Sequence, residues 1–287
     1  MNAADLAGRL NLKRYTRSFR GACPACGYAG TFSLRAGRGD RVLFACASCG
    51  DREAIAGAVR RVAGGEVLPQ RTAEDHADAQ ARRDRKQAAA MRMWNGSGPA
   101  PGTIADIYLT ARVLPGLAAS PALRFRRDAP HPEGGTLPAM VALVVDAADK
   151  PMAIHRTYLR RDGSGKADVE PQKATLGPVW GGAIHLDPVA PEMVIGEGIE
   201  TSASAGRLLG LSAWAAISAG SLARGLVLPA EVRAVVIAAD ADEAGERAAR
   251  DAALRWSREG RMVRIARPDA AGRDFNDVLR ARVAEVA

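Results

Sequence analysis

Two groups of side chains in this 287-residue sequence have the types and spacing to hold metal ions. Cys23-Pro-Ala-Cys26 is followed, after nineteen intervening residues, by Cys46-Ala-Ser-Cys49. Zn²⁺ takes soft thiolate ligands in a tetrahedron, and each Cys-x-x-Cys turn supplies two of them from one knuckle. Gly27 and Gly50 follow the two pairs and let a knuckle turn tightly. Unrelated core cysteines have no reason to come in matched pairs. With Cys23, Cys26, Cys46 and Cys49 as ligands, one zinc ion is structural, because no position stays open for water.

The second group is acidic. Glu197 ends an apolar run, Met193–Gly196, and Asp240 ends another, Val235–Ala239, with Asp242 and Glu243 just beyond. If the two runs are neighbouring strands of a parallel sheet, Glu197, Asp240 and Asp242 open into one crevice at the carboxyl ends. Three converging carboxylates repel unless a cation lies between them, and hard oxygens without His or Cys favour Mg²⁺ or Mn²⁺. A plainer use of Asp242 and Glu243 is to cap the following helix. That fits Glu243 and leaves Glu197 unexplained.

The elements that must position these groups can be read from periodicity. Thr31–Leu34 and Val42–Phe44 read as paired strands of a zinc ribbon, with a short helix from Asp51. Val67 to Met93 is polar and charge-dense, as in a solvated helix or linker, and closes on the turn cluster Asn95–Pro99. Met140–Val145 and Met152–Leu159 form a hairpin. From Met193 the rhythm is strand, helix (Ser202–Leu209), strand (Trp214–Ile217), strand (Val235–Ala239), helix (Glu243–Glu259), strand (Val263–Ala266) and closing helix (Phe275–Val286). Such alternation implies a parallel sheet covered by helices. The expected organisation is a zinc-ribbon module with a basic N-terminal segment over 1–64, a charged helical linker over 65–100, a basic mixed α+β subdomain over 101–190 and an α/β catalytic domain over 191–287. There is no internal repeat.

Composition narrows the partners. Forty Lys and Arg against 32 Asp and Glu give a net charge of +8, an excess that nucleic acid explains. Aromatics are only 5% and Ala is abundant, so the core should be helix-rich and finely packed. Arg156, Arg160, Arg161, Lys166 and Lys173 form a basic set ahead of the acidic crevice, a track for nucleic acid or nucleotide, with Tyr158 and Trp180 as stacking surface. A second basic set, Arg9, Lys13, Arg14, Arg17 and Arg20, is interleaved with Tyr15 and Phe19. Gly163-Ser164-Gly165-Lys166-Ala167 is not a P-loop, because position 160 is Arg and position 167 is Ala. An intrinsic NTPase motor is therefore not expected. His76, His131, His155 and His185 show no ligand or triad spacing. The first residues lack a secretory h-region, and the longest strongly apolar run, Ala234–Ala239, is far short of the roughly 20 residues that cross a bilayer. The expectation is a cytoplasmic protein with no membrane segment.

Glu197-Gly198 after an apolar strand, Asp240-x-Asp242 after a second, and Asp274-Phe275-Asn276-Asp277 together resemble the Toprim domain. The stretch 193–280 fits throughout, including Glu200 and Gly245, and is most similar to the Toprim domains of phage- and plasmid-type primases. Upstream, Ile154–Leu159 and Lys173–Gly177 resemble the basic subdomain that precedes Toprim in those enzymes, and the zinc ribbon completes the order. The set of four Cys departs from the three-Cys, one-His pattern of many bacterial primases and is more like that of phage primase-helicases. The resemblance implies that Glu197, Asp240 and Asp242 are catalytic metal-site residues, with Asp274 a fourth metal-site acid, and that Glu197 either ligates or transfers a proton. It implies a DNA primase making short RNA primers on single-stranded DNA from nucleoside triphosphates, with Mg²⁺ or Mn²⁺ and a separate helicase partner. A Toprim-type nuclease or nickase, and a non-catalytic DNA-binding accessory protein, are the alternatives.

Overall fold

In the computed structural model, residues 2–15, 18–37, 42–46, 52–64, 73–268 and 273–286 are described. The chain divides into two compact units, Met1–Ala81 and Arg82–Ala287. Arg17, Cys49 and Gly50 lie outside the described residues.

The first unit contains helix α1 (Ala3–Arg9), strands β1 (Lys13–Tyr15), β2 (Ser18–Gly21), β3 (Phe32–Ala36) and β4 (Val42–Cys46), and helix α2 (Arg52–Val62). The strands form one antiparallel sheet in sequence order. The strand pair expected between the cysteine turns is β3–β4, in which Phe32 faces Cys46. Leu6, Phe32, Leu34, Ile55 and Val59 are almost fully buried together with Cys23 and Cys46. Asn2 caps α1 in a reciprocal box with Asp5.

Helix α3 (Ala73–Asn95) leads into the second unit, which has two five-stranded sheets. The first is antiparallel, in the order β5 (Gly98–Pro99), β6 (Leu123–Pro130), β7 (Thr136–Val145), β8 (Pro151–Tyr158) and β9 (Lys173–Leu176), with helix α4 (Ile104–Ala111) inserted before β6. One face of this sheet packs Val141 and Ile154 on Ala90 and Trp94 of α3. The other packs Met140, Ala142, Val144 and Ala153 with Tyr108 and Leu109 of α4.

The second sheet follows strands β10 (Ile184–His185) and β11 (Glu192–Gly196), helix α5 (Ile199–Leu209), strands β12 (Ser212–Ala215) and β13 (Ala234–Ala238), helix α6 (Glu243–Arg258), strand β14 (Met262–Ala266) and helix α7 (Phe275–Val286). Its order is β10-β12-β11-β13-β14, parallel except for β10. The parallel strands read as unbroken apolar runs because both faces are covered. Met193, Ile195, Val235 and Ile237 pack on Ala248, Ala249, Ala252 and Trp256 of α6. Val194, Val236 and Ala238 pack on Ala205 of α5 and Phe275 of α7. Each large side chain buried this way contributes about 1.5–3 kcal/mol. Ile199, Ala203, Ala215 and Leu279 share one core with the antiparallel sheet, so the lengths of chain on either side of residue 190 form one body.

One strand is shorter than expected. The run Trp214–Ile217 leaves the sheet after Ala215, and Ile217 takes a left-handed φ of 76°, costly for a β-branched residue. The bend lets the amides of Ala216 and Ile217 donate to the carbonyls of Gly196 and Glu197, wrapping the chain around the end of β11. Among the described residues no helix is long and apolar enough to cross a membrane.

Candidate functional site

In the first unit, the thiols of Cys23, Cys26 and Cys46 lie within 4.8 Å of one another. The Sγ atoms of Cys26 and Cys46 are 3.7 Å apart. A disulfide bond is about 2.05 Å long, whereas two sulfurs on a tetrahedral zinc with Zn–S bonds of about 2.3 Å stand about 3.8 Å apart. The knuckle closes through Gly27, whose amide donates to the Cys23 carbonyl at φ 75°. The buried Cys23 thiol is pushed above its ordinary range, chiefly by loss of solvent, so a thiolate there needs a cation beside it. The three sulfurs fit zinc.

In the second unit, β11 and β13 are parallel neighbours with Gly196 level with Ala238, so Glu197 and Asp240 emerge side by side. Gly245 lets α6 begin against Asp240, since a Cβ there would lie 2.8 Å from the Asp240 carbonyl oxygen. Burial, with help from Asp240, pushes the Glu197 carboxyl up to about 7. Lys173 and an amide hydrogen bond from Ala219 pull the other way. Burial raises Asp240 as well, and Asp242 and Asp274 add to it, against the Thr201 hydroxyl and Lys173. Thr201 donates to Asp240 Oδ1 at 3.1 Å.

The four acids therefore feel one another, but they do not close tightly. Among the described residues, the three cysteines alone form a set of three or more metal-ligating side chains within 4.8 Å, so the expected close convergence of Glu197, Asp240 and Asp242 is not formed. Two members are committed to helix ends. Asp242, rather than Glu243, caps α6, its Oδ1 accepting from the Gly245 amide at 2.7 Å. Asp274 Oδ1 accepts from the Asp277 amide at 2.9 Å, and the Asp274 amide donates in turn to Asp277 Oδ2 at 3.2 Å, a reciprocal box at the start of α7. Each keeps a second carboxylate oxygen. Hard carboxylate oxygens on half-buried groups that resist ionisation are the kind of donor that suits a divalent cation such as Mg²⁺ or Mn²⁺.

The basic set separates into different roles. Lys173 is the exposed cation at the crevice: a Cβ built on Gly198 would lie 3.9 Å from its Nζ. Lys166 is turned inward, 3.4 Å from Glu200 Oε1. Arg156 is 6% exposed and donates to the Pro130 carbonyl at 2.6 Å, and Tyr158, fully buried, donates to the same oxygen. Neither offers a surface to a nucleic acid. Arg160 makes a forked pair with Asp168, and Arg161 is exposed.

Glu200, part of the Toprim-like motif, is a buried strut whose role the sequence pattern does not show. Burial alone would raise its carboxyl. Lys173, Lys166 and the Tyr108 hydroxyl together bring it down to about 2. It ties α5 to α4 and to the turn carrying Lys166. Lys166→Met should destabilise the second unit by about 3 kcal/mol, because a buried charge loses one of its cations. Urea unfolding followed by tryptophan emission reads this, and adding Glu200→Gln should restore most of the loss. Unchanged unfolding in the single variant would refute the strut. Asn276 is likewise fully buried, donating to the Arg112 carbonyl and to Ser204 Oγ, and so fixes α7 against α4 and α5.

Residues 192–285 match the Toprim domain family, and the parallel sheet that carries Glu197 and Asp240 is a Toprim domain. Residues 84–186 match a family described as a domain of unknown function, DUF7146. The chain is similar to a DNA primase domain from Pseudomonas aeruginosa, at 18% identity over 68% of this chain and 74% of that one, with a TM-score of 0.47. It is similar to the zinc-binding and RNA polymerase domains of the Aquifex aeolicus primase, at 15% identity, covering 100% and 81%, with a TM-score of 0.47. The primase fragment of the bacteriophage T7 primase-helicase protein is 14% identical, covering 94% and 98%, with a TM-score of 0.42. No curated protein matches the sequence.

Proposed function

We propose that this chain is a DNA primase, joining nucleoside triphosphates into short RNA primers on single-stranded DNA. The observation that carries the reading is the pair Glu197 and Asp240, set side by side at the carboxyl ends of adjacent parallel strands with Lys173 facing them. The order of a cysteine knuckle, a basic sheet and a Toprim domain supports it.

Held by Glu197, Asp240 and the remaining oxygens of Asp242 and Asp274, Mg²⁺ or Mn²⁺ would supply positive charge to a phosphoryl group in transfer. The protein's own groups do the rest. Lys173 presents an exposed ammonium to the phosphates of an incoming nucleotide. Glu197 takes one of two roles, holding the ion or accepting the proton of a primer 3′-hydroxyl from its place at the end of its strand. Thr201 holds one oxygen of Asp240, fixing the direction of the other. The zinc module, with its exposed Lys13, Arg14 and Tyr15, would hold the template, and a separate helicase would supply unwound DNA.

The test is to incubate the protein with single-stranded DNA, labelled nucleoside triphosphates and Mg²⁺ or Mn²⁺. New short oligomers are expected, and Asp240→Ala should lower their yield at least about a hundredfold while leaving the circular-dichroism spectrum unchanged. Shortened template would mean a nuclease, and neither product would mean an accessory DNA-binding protein. Activity that survives Asp240→Ala would overturn the site.

A further inference from the structure

One aromatic side chain is held in place by three glycines and still left partly in solvent. The loop of residues 177–183 leads from β9 to β10. At its start is Gly177, φ 106°, where a Cβ would lie 2.8 Å from Ala153 Cβ and from the Met152 carbonyl oxygen. Near its end is Gly182, where a Cβ would lie 2.7 Å from the Val145 carbonyl oxygen and 3.0 Å from Met152 Sδ. Both ends are thus pressed onto the antiparallel sheet at a distance no other residue allows.

Between them stands Trp180. A Cβ on Gly225 would lie 3.1 Å from its Cε3 and 3.2 Å from its Cδ2, so the indole packs closely against Gly225 where a side chain would displace it. The ring has one covered side and is nonetheless 42% exposed, whereas Trp94, Trp214 and Trp256 are 8%, 1% and 0% exposed. An indole packed against the backbone with surface still open to water can act as a stacking platform, because its π-face accepts any base.

The platform connects to the crevice from both directions. Gly225 closes the π-helical turn Ser221–Gly225, which follows the strained Ile217 and the Ala219 amide that hydrogen-bonds the Glu197 carboxylate. The loop itself continues from β9, which opens with Lys173. Arg224, next to Gly225 in the chain, has a side chain 42% exposed whose guanidinium pairs with Asp251 at 3.4 Å, a partner it would share with or exchange for a phosphate.

We propose that Trp180 stacks a base of single-stranded DNA passing the carboxylate crevice. This deepens the nucleotidyl-transfer reading and rests on it. The indole has no hydrogen-bonding edge to tell bases apart beyond a single N–H, so the contact tolerates any sequence, as a template track requires.

The test uses the full chain with zinc bound, titrated with oligo(dT) and, in a separate arm, with ATP alone. Trp180 is the exposed one of four tryptophans, so binding should quench the share of emission that one tryptophan gives. Trp180→Leu keeps an apolar cover over Gly225. It should abolish the quench and weaken oligo(dT) binding about tenfold, with Trp180→Tyr restoring most of the affinity. Equal affinity in wild type and Trp180→Leu, or a quench that persists without Trp180, would overturn the proposal. So would quenching by ATP alone, which would assign the platform to the incoming nucleotide. Running both proteins in the primer assay separates the two readings. Oligomers made by the wild type with no loss in Trp180→Leu sink the platform and spare the enzyme, whereas quenching and tight binding without any oligomers sink the enzyme.

Discussion

Glu197→Gln should make the metal-free protein more stable above pH 7 and, in the same substitution, remove its divalent-cation-dependent chemistry. The two effects have one cause. Loss of solvent at the half-buried Glu197, with Asp240 beside it, pushes its carboxyl from the ordinary 4.5 up to about 7 in the folded protein. A carboxyl whose folded value is raised stabilises the fold fully below the unfolded value, and that contribution is lost as pH rises from 4.5 through about 7. At pH 8 the wild type therefore carries a buried charge that the neutral amide avoids. The difference is about 3 kcal/mol, from 1.36 kcal/mol per pH unit.

Denaturant unfolding at pH 5 and pH 8, in chelator, measures it: the curves of wild type and variant should nearly coincide at pH 5 and separate at pH 8. Adding Mg²⁺ should then raise the wild-type midpoint at pH 8 and leave that of Glu197→Gln almost unmoved, since the amide is a poorer ligand. A variant less stable than wild type at pH 8 would mean that Glu197 is a fold-supporting ion pair rather than a strained metal-site acid.

The reason so much of this site is legible in sequence, and some of it is not, lies in the range of the interactions. Met193–Gly196 and Val235–Ala239 are apolar without alternation, which only a strand covered on both faces requires, so the parallel sheet and its acidic ends follow from local pattern. The cysteine turns are equally local. Arg156 and Tyr158 misled for the same physical reason. β8 is buried from Ala153 onward, so alternation cannot show which face a polar residue takes, and an arginine serving the carbonyl of Pro130 looks like any other arginine. Glu200 meets Tyr108 across 92 residues, a partnership set by how α4 docks on α5 and by nothing near either residue in the chain. Capping at Asp242 and Asp274 was readable in kind, since both open helices. The choice of Asp242 over Glu243 depends on one backbone dihedral, the extended ψ of 163° at Asp242.

Withdrawing zinc should produce the largest change of all, confined to the first unit. That unit has a real but small core around Leu6, Phe32, Leu34, Ile55 and Val59, and Cys23 and Cys46 are part of it. A unit of this size gains little from burial alone, and the free energy of a structural zinc site is on the order of 10 kcal/mol, comparable to a whole domain's stability. Removing the ion leaves thiols clustered within 4.8 Å that must take up protons inside the core, so the loss reaches beyond the knuckle to β3, β4 and the helices packed on them. Calorimetry should show two transitions in the loaded protein. After chelation the first-unit transition should vanish, and that of the second unit, whose sheets and helices contain no thiol, should stay where it was. Cys46→Ser should act like the chelator, releasing one zinc to a colorimetric dye on mild denaturation of the wild type and none from the variant. Cys49→Ser is the sharper experiment, because the paired spacing makes Cys49 the expected fourth ligand. It should lose zinc as fully as Cys46→Ser, and full retention of the metal would show that another group completes the tetrahedron.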